Sequence, residues 1–193
     1  MRNRLVVCLL LFFLLVSLSA CRGEQPASER VLEIRGLFQS GTQHFSAEIT
    51  AHYTDHVYHF TLRWNSAAST IEVLAPEIIA GVVVAVSESG TVLHWDGAEL
   101  NTGPLTEDGL SPLAALPTIV FQWKDGHITN AHYEPFAGVN TVVMTTAISD
   151  QVQHMTWFDR DTGLPVKSEI LQDGRLVLTA IFEGSPLFGS LGR

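Results

Sequence analysis

Several side chains in this sequence are able to do chemistry, and their spacing decides which of them are set up for it. Eight histidines invite a metal hypothesis, and His52 and His59 would lie diagonally on the polar face of one hairpin with Glu48 nearby, a separation that strands can bridge. No short two-histidine motif of the zincin kind accompanies them, and exposed imidazoles on a sheet are commonplace, so no metal site is expected. His94 opposite Glu99 reads as a cross-strand polar pair. Asp159 and Asp161 resemble the start of a calcium loop but lack its glycine and later glutamate, and turn formation accounts for them more simply. There is no Gly-x-Ser-x-Gly elbow, no arguable Ser-His-Asp set and no glycine-rich phosphate loop. The expectation is a non-enzymatic protein with no cofactor.

Cys21 is the exception. A charged tip, Met1-Arg2-Asn3-Arg4, leads into apolar residues from Leu5 to Val16 and then Leu18-Ser19-Ala20-Cys21. A cysteine directly after Leu-Ser-Ala resembles the bacterial lipoprotein signal, in which the thiol receives a diacylglyceryl group before cleavage. The apolar run is shorter than the roughly 20 residues that cross a bilayer. Two acyl chains, at ~0.8 kcal/mol per buried CH₂, anchor stably where one would be reversible. The chain therefore divides into a signal (residues 1–20), a lipidated cysteine and tether (21–30), one domain (31–185) and a short tail (186–193), held outside the cytoplasm on the membrane.

Without the signal, nine basic residues (eleven less Arg2 and Arg4) face 20 acidic ones. The basic residues are scattered singly, which argues against a nucleic-acid partner. The acidity would also repel anionic lipid, so attachment falls to the acyl anchor. Cys8 leaves with the signal and Cys21 is acylated, so no thiol remains for a disulfide or a metal, and stability rests on a hydrophobic core.

The elements that would carry such a core are mostly strands. Phe45, Ala47, Ile49, Ala51 and Tyr53 alternate with polar residues, as do Tyr58, Phe60, Leu62 and Trp64. A two-residue loop at Thr54-Asp55 pairs Ile49 with Phe60 and Phe45 with Trp64; a one-residue slip would bury the charges. Strands follow at Thr70 to Ala75 and Gly81 to Ser87 around a helical turn at Pro76 to Ala80, the second apolar on both faces and expected to be covered on each. Asp96-Gly97 sets Leu93 against Leu100, and Asp173-Gly174 sets Leu171 against Leu176, Ile170 against Val177 and Val166 against Ile181. Val31 to Gln39 has helical spacing with Ser28 as N-cap, weakened by Gly36, while Ser111-Pro112 to Lys124-Asp125-Gly126 is a better helix, kinked at Pro117. Further strands are read at Ile128 to Tyr133, Val142 to Ala147 (a weak one) and Gln151 to Phe158, making about ten strands and one good helix, the pattern of an all-β sheet or barrel.

Three stretches together resemble the LolA-like lipoprotein carriers. They are the strand, proline-led turn and glycine of Ile71 to Val82, the Trp157-Phe158-Asp159-Arg160-Asp161-Thr162-Gly163-Leu164-Pro165 stretch with the Asp173-Gly174 hairpin after it, and the helix opened by Ser111-Pro112-Leu113. The resemblance covers most of residues 40 to 183. It implies a mainly β domain, a strongly curved, unclosed antiparallel barrel whose concave face is plugged by helices, with an apolar cavity that takes a lipid, an acyl chain or an acylated protein. Clostridial germination-type lipoproteins are similar to this fold as well, which implies an alternative: an interaction module for an envelope protein such as a cell-wall amidase. The sequence departs from the soluble carriers in its short, glycine-interrupted first helix and in offering no arginine to match their lid latch.

The inner-face residues Phe45, Tyr58, Phe60, Leu62, Trp64, Leu93, Trp95, Leu116, Val120 and Trp123 then have two readings, as ordinary core or as the lining of that cavity.

Overall fold

The structure, a computed structural model, describes residues 25–41, 44–65, 68–87, 90–103 and 110–184. Cys21, the signal and the tail at 186–193 lie outside the described residues. The described residues form α1 (Ala27–Ser40), β1 (Phe45–Tyr53), β2 (His56–Trp64), β3 (Ala68–Ala75), β4 (Val83–Ser87), β5 (Gly90–Trp95), β6 (Ala98–Gly103), α2 (Pro112–Asp125), β7 (His127–Tyr133), β8 (Thr141–Ala147), β9 (Val152–Asp159), β10 (Pro165–Gln172) and β11 (Arg175–Glu183). The eleven strands make one antiparallel sheet in the order β6-β5-β4-β3-β2-β1-β11-β10-β9-β8-β7, open between β6 and β7. Helix α2 joins those two outer strands, and both helices contribute buried residues to a single core with the sheet's concave face.

Because every pairing is antiparallel, the connections sort to two ends. Those at 54–55, 76–82, 96–97, 148–151 and 173–174 lie at one end, the upper rim; those at 134–140 and 160–164 lie at the other, the lower rim. The start of α1 belongs to the lower rim, where the Tyr133 hydroxyl donates to the Gln25 carbonyl at 2.8 Å and Arg30 donates twice to the Arg160 carbonyl.

The first hairpin has the expected register throughout, with Phe45 opposite Trp64 and Ile49 opposite Phe60. Leu93 faces Leu100 across Asp96-Gly97, whose φ angles of 47° and 76° supply the left-handed turn.

Elsewhere the structure corrects the expectations. In the last hairpin Leu171 does face Leu176, but a bulge at Ile170/Leu171 moves Ile170 opposite Leu178 and Lys167 opposite Ile181. The extra residue is absorbed because it turns Ile170 and Leu178 together into the core. On β4, Val84 is buried while Val83 and Ala85 are only half-buried, so this strand is covered on one face. The weak strand expected at Val142 to Ala147 is instead among the most deeply placed: Thr141 to Thr146 are all buried. Val143 lies beside Trp157, whose indole donates to Glu134 and lies 4.0 Å under the Lys167 ammonium. Helix α1 starts at Ala27 after Pro26, not at a Ser28 cap, and runs unbroken through Gly36, where a Cβ would meet nothing within 4 Å.

Helix α2 starts as its sequence signals: the Ser111 hydroxyl accepts from the Ala114 N–H at 3.3 Å. Its end differs, because Gly126 has φ −60° and is not a left-handed cap. Glycine is required there by crowding, since a Cβ would sit 2.7 Å from the Gln122 carbonyl oxygen.

Candidate functional site: the roofed concave face

Alternation along β1, β2, β9 and β11 aims one aromatic from each strand at the hollow of the sheet, and each helix adds another. The result is a six-ring cluster of Phe38 from α1, Phe45, Trp64, Phe158 and Phe182 from the sheet, and Trp123 from α2. Phe38 stands 5.3 Å from both Trp64 and Trp123, and Trp123 stands 5.6 Å from Phe182. Such contacts contribute about 0.5–1.5 kcal/mol each beyond burial.

Of the residues expected on the inner face, Phe45, Phe60, Leu62, Trp64, Leu116, Val120 and Trp123 are brought together and buried. Tyr58 is half-buried and stacks on Phe60, and Leu93 packs half-buried against the same core. Trp95 is not among them: it ends β5 with 55% of its surface exposed. A pocket of about 220 Å³ opens beside the cluster, lined by residues that include Phe45, Pro165 and Phe182. That is below the roughly 300–1,000 Å³ of ordinary ligand sites, and the six rings themselves are buried against one another.

Beneath Trp123 lies a polar set that sequence reasoning missed. The indole N–H donates to the Thr156 hydroxyl at 3.0 Å. Thr156 also meets His154 Nε2 at 2.8 Å and the Ser168 hydroxyl at 2.7 Å, and His154 Nδ1 meets the Thr146 hydroxyl at 3.2 Å. All four sheet residues are completely buried. Either neutral tautomer of the imidazole satisfies the chain of bonds, with the hydroxyl protons turning to match. Burial, with no charged partner to offset it, pushes the His154 pKa down to about 3, so the ring is neutral at physiological pH. The available signal was period two: Val152, His154, Thr156 and Phe158 alternate, which places two polar residues on the inward face.

Two side chains of α1 hold the end of α2. Arg35 Nη2 donates to the Gly126 carbonyl at 2.6 Å and Gln39 Nε2 to the Lys124 carbonyl at 2.9 Å. Arg35 Nε is buried with no partner. Burial lowers the Arg35 pKa, opposed by the nearby Asp125 carboxylate. An arginine between the helices was not anticipated, because nothing in the sequence places Arg35 against a carbonyl 91 residues away.

The other chemical candidates are spread apart. His52 and His59 are exposed, with His59 Nδ1 3.3 Å from the Thr50 hydroxyl. His94 lies 3.8 Å from Glu99. Asp159 Oδ1 accepts from the N–H groups of Asp161 and Thr162, both at 2.8 Å, which builds the turn that Gly163 closes at φ 72°. Among the described residues no group of three or more His, Cys, Asp or Glu is arranged to hold a metal, and no helix is long and apolar enough to cross a membrane.

No protein-family model matches the sequence, and no curated protein matches it. Solved structures do. MucB is similar over 89% of this chain, with 16% identity and a TM-score of 0.55. This chain spans 62% of MucB's length. The Pseudomonas aeruginosa MucA/MucB complex matches over 82% of this chain and 56% of its own, with 17% identity and a TM-score of 0.50. An uncharacterized conserved protein from Thermus thermophilus matches over 84% of this chain and 90% of its own, with 8% identity and a TM-score of 0.56. A LolA superfamily protein from Nitrosomonas europaea matches over 83% and 92%, with 11% identity and a TM-score of 0.43. The open antiparallel half-barrel, roofed by the helix that joins its two edges, shares the fold of MucB.

Proposed function

We propose that this chain is a non-enzymatic lipoprotein, anchored to the outer face of the bacterial cell membrane through diacylglyceryl-Cys21, that binds a lipid, an acyl chain or an acylated protein in its half-barrel. The observation that carries the reading is the roofed aromatic hollow. An acyl chain needs apolar area more than hydrogen bonds, at about 25 cal/mol per Å² buried, and the concave face of this LolA-like sheet offers it. The hollow is filled by Trp123, Phe38 and their neighbours, so the ligand enters as α2 lifts and takes the place of those rings. Polar contacts hold the roof at three carbonyl or hydroxyl oxygens, those of Thr156, Gly126 and Lys124, and each is a modest bond that solvent can replace.

The test is photolabelling of the membrane-bound full chain with a diazirine fatty acid, followed by mapping of the adducts. Adducts on Phe60, Leu116 or Trp123 are expected; adducts confined to the outer surface would end the reading. The anchor is tested separately by metabolic labelling with palmitate, which Cys21→Ser should abolish.

A second reading, an interaction module for an envelope protein such as a cell-wall amidase, is favoured by one observation. The half-barrel resembles MucB, and MucB has been solved in complex with MucA. Cross-linking in intact cells that returns no protein partner would remove it.

A further inference from the structure

The upper rim differs from the rest of the surface. Six of the eight large apolar residues that stand exposed among the described residues lie at this end: Val57, Leu74, Ile78, Trp95, Leu100 and Leu176. Ile78 is 83% exposed at the tip of its turn. Single exposed apolar residues need no explanation, but their collection at one end of a barrel does. Each of the five hairpin connections there also carries an exposed carboxylate, in turn Asp55, Glu77, Asp96, Asp150 and Asp173, and the α2–β7 turn adds Asp125, against Arg175 and the half-buried Lys124. Turn geometry explains aspartates such as Asp96 and Asp173, which have φ near 50°. It does not explain an isoleucine, a tryptophan and a leucine beside them.

The position of the anchor bears on the occupant. Cys21 precedes Gln25 by four residues, a reach of at most about 14 Å, and Gln25 sits on the lower rim. A nine-residue strand such as β1 rises about 30 Å from that rim to the other. An anchor at Cys21 would keep the lower rim within that reach of the bilayer and leave the upper rim to the aqueous side.

We propose that the upper rim is a docking surface for a protein partner whose contact segment is basic and apolar, lysine or arginine set among leucine-type residues. The carboxylates complement its charge and the apolar tips supply the buried area, while the same carboxylates disfavour an anionic lipid surface. This deepens the interaction reading and rests on it, and the tether argument rests on the anchor at Cys21; neither requires the hollow to bind lipid.

Trp64, Trp123 and Trp157 are no more than 5% exposed, so acrylamide quenching of the full chain reports chiefly on Trp95. The probes are a synthetic 18-residue Lys/Leu amphipathic peptide, its Glu/Leu counterpart, and vesicles of phosphatidylglycerol and phosphatidylcholine. The Lys/Leu peptide should cut the quenching constant at least threefold and lose this effect in 0.5 M salt, where screening length falls to about 4 Å. The double variant Glu77→Gln, Ile78→Ser should bind it at least tenfold more weakly with an unchanged far-ultraviolet spectrum. Equal protection by the Glu/Leu peptide, unaltered binding by the double variant, or protection of Trp95 by vesicles alone overturns the proposal. A cellular partner that still binds the double variant leaves the interaction reading standing and removes the rim from it.

Discussion

Acidification is the sharpest perturbation available to this core, because His154 is buried among neutral hydroxyls with no carboxylate to meet a new charge. In the unfolded chain the imidazole takes its proton near pH 6.5, whereas in the fold it does so only near 3. Between those values the unfolded state binds more protons, so stability rises with pH: the full contribution is present above about 6.5 and is lost as pH falls toward 3. With ~1.36 kcal/mol per pKa unit, the loss is about 2 kcal/mol at pH 5 and about 3 kcal/mol at pH 4. Urea unfolding at pH 7.5 and pH 5, in wild type and in His154→Gln, isolates this effect. The amide keeps a donor and an acceptor but cannot titrate, and other ionisable groups cancel in the difference between proteins. Wild type should lose about 2 kcal/mol more than the variant over this interval. Equal losses would refute the reasoning, as would a His154 ring signal that titrates near pH 6.5 in the folded protein.

Trp123→Phe keeps most of the ring packing but removes the N–H that Thr156 accepts, and should cost about 1–2 kcal/mol in urea unfolding. Gly126→Ala forces a Cβ to within 2.7 Å of a backbone oxygen and should destabilise by about 1–3 kcal/mol, measured in the same way. Ser111→Ala removes the hydroxyl that caps α2 and should lower stability by about 1 kcal/mol, read as a shift of a few degrees in thermal unfolding.

What could be read from the sequence was whatever a local pattern over-determines. The first hairpin is legible because Phe45 to Tyr53 and Tyr58 to Trp64 alternate strictly, so one register alone puts all the alternating apolar residues on the same face. The β10–β11 hairpin defeated the same logic, since the bulge at Ile170/Leu171 costs one irregular step and is decided by whether Leu178 or Val177 fits the core. Helix α1 was under-read for the converse reason. Gly36 lowers helix propensity by about 1 kcal/mol, yet Val31, Ile34 and Phe38 bury fully, which outweighs it.

The site divides along the same line. Trp64 and Trp123 were both placed on the inner face by periodicity, and they stand 6.2 Å apart. That Phe38 and Phe158 complete the cluster, and that His154 reaches Thr146 and Thr156 beneath it, depends on strands β8, β9 and β10 becoming neighbours under α2, which no single segment encodes. A neutral histidine there is consistent with a roof that must close on a mostly apolar floor: one indole N–H needs an acceptor, Thr156 supplies it, and the imidazole and Ser168 satisfy the threonine in turn. Replacing Thr156 alone with valine would strand the Trp123 N–H, the His154 nitrogen and the Ser168 hydroxyl together. Trp123→Phe removes only one of these bonds, so Thr156→Val should cost more in urea unfolding than Trp123→Phe, and an equal or smaller cost would show that the polar set beneath the roof does not act as a unit.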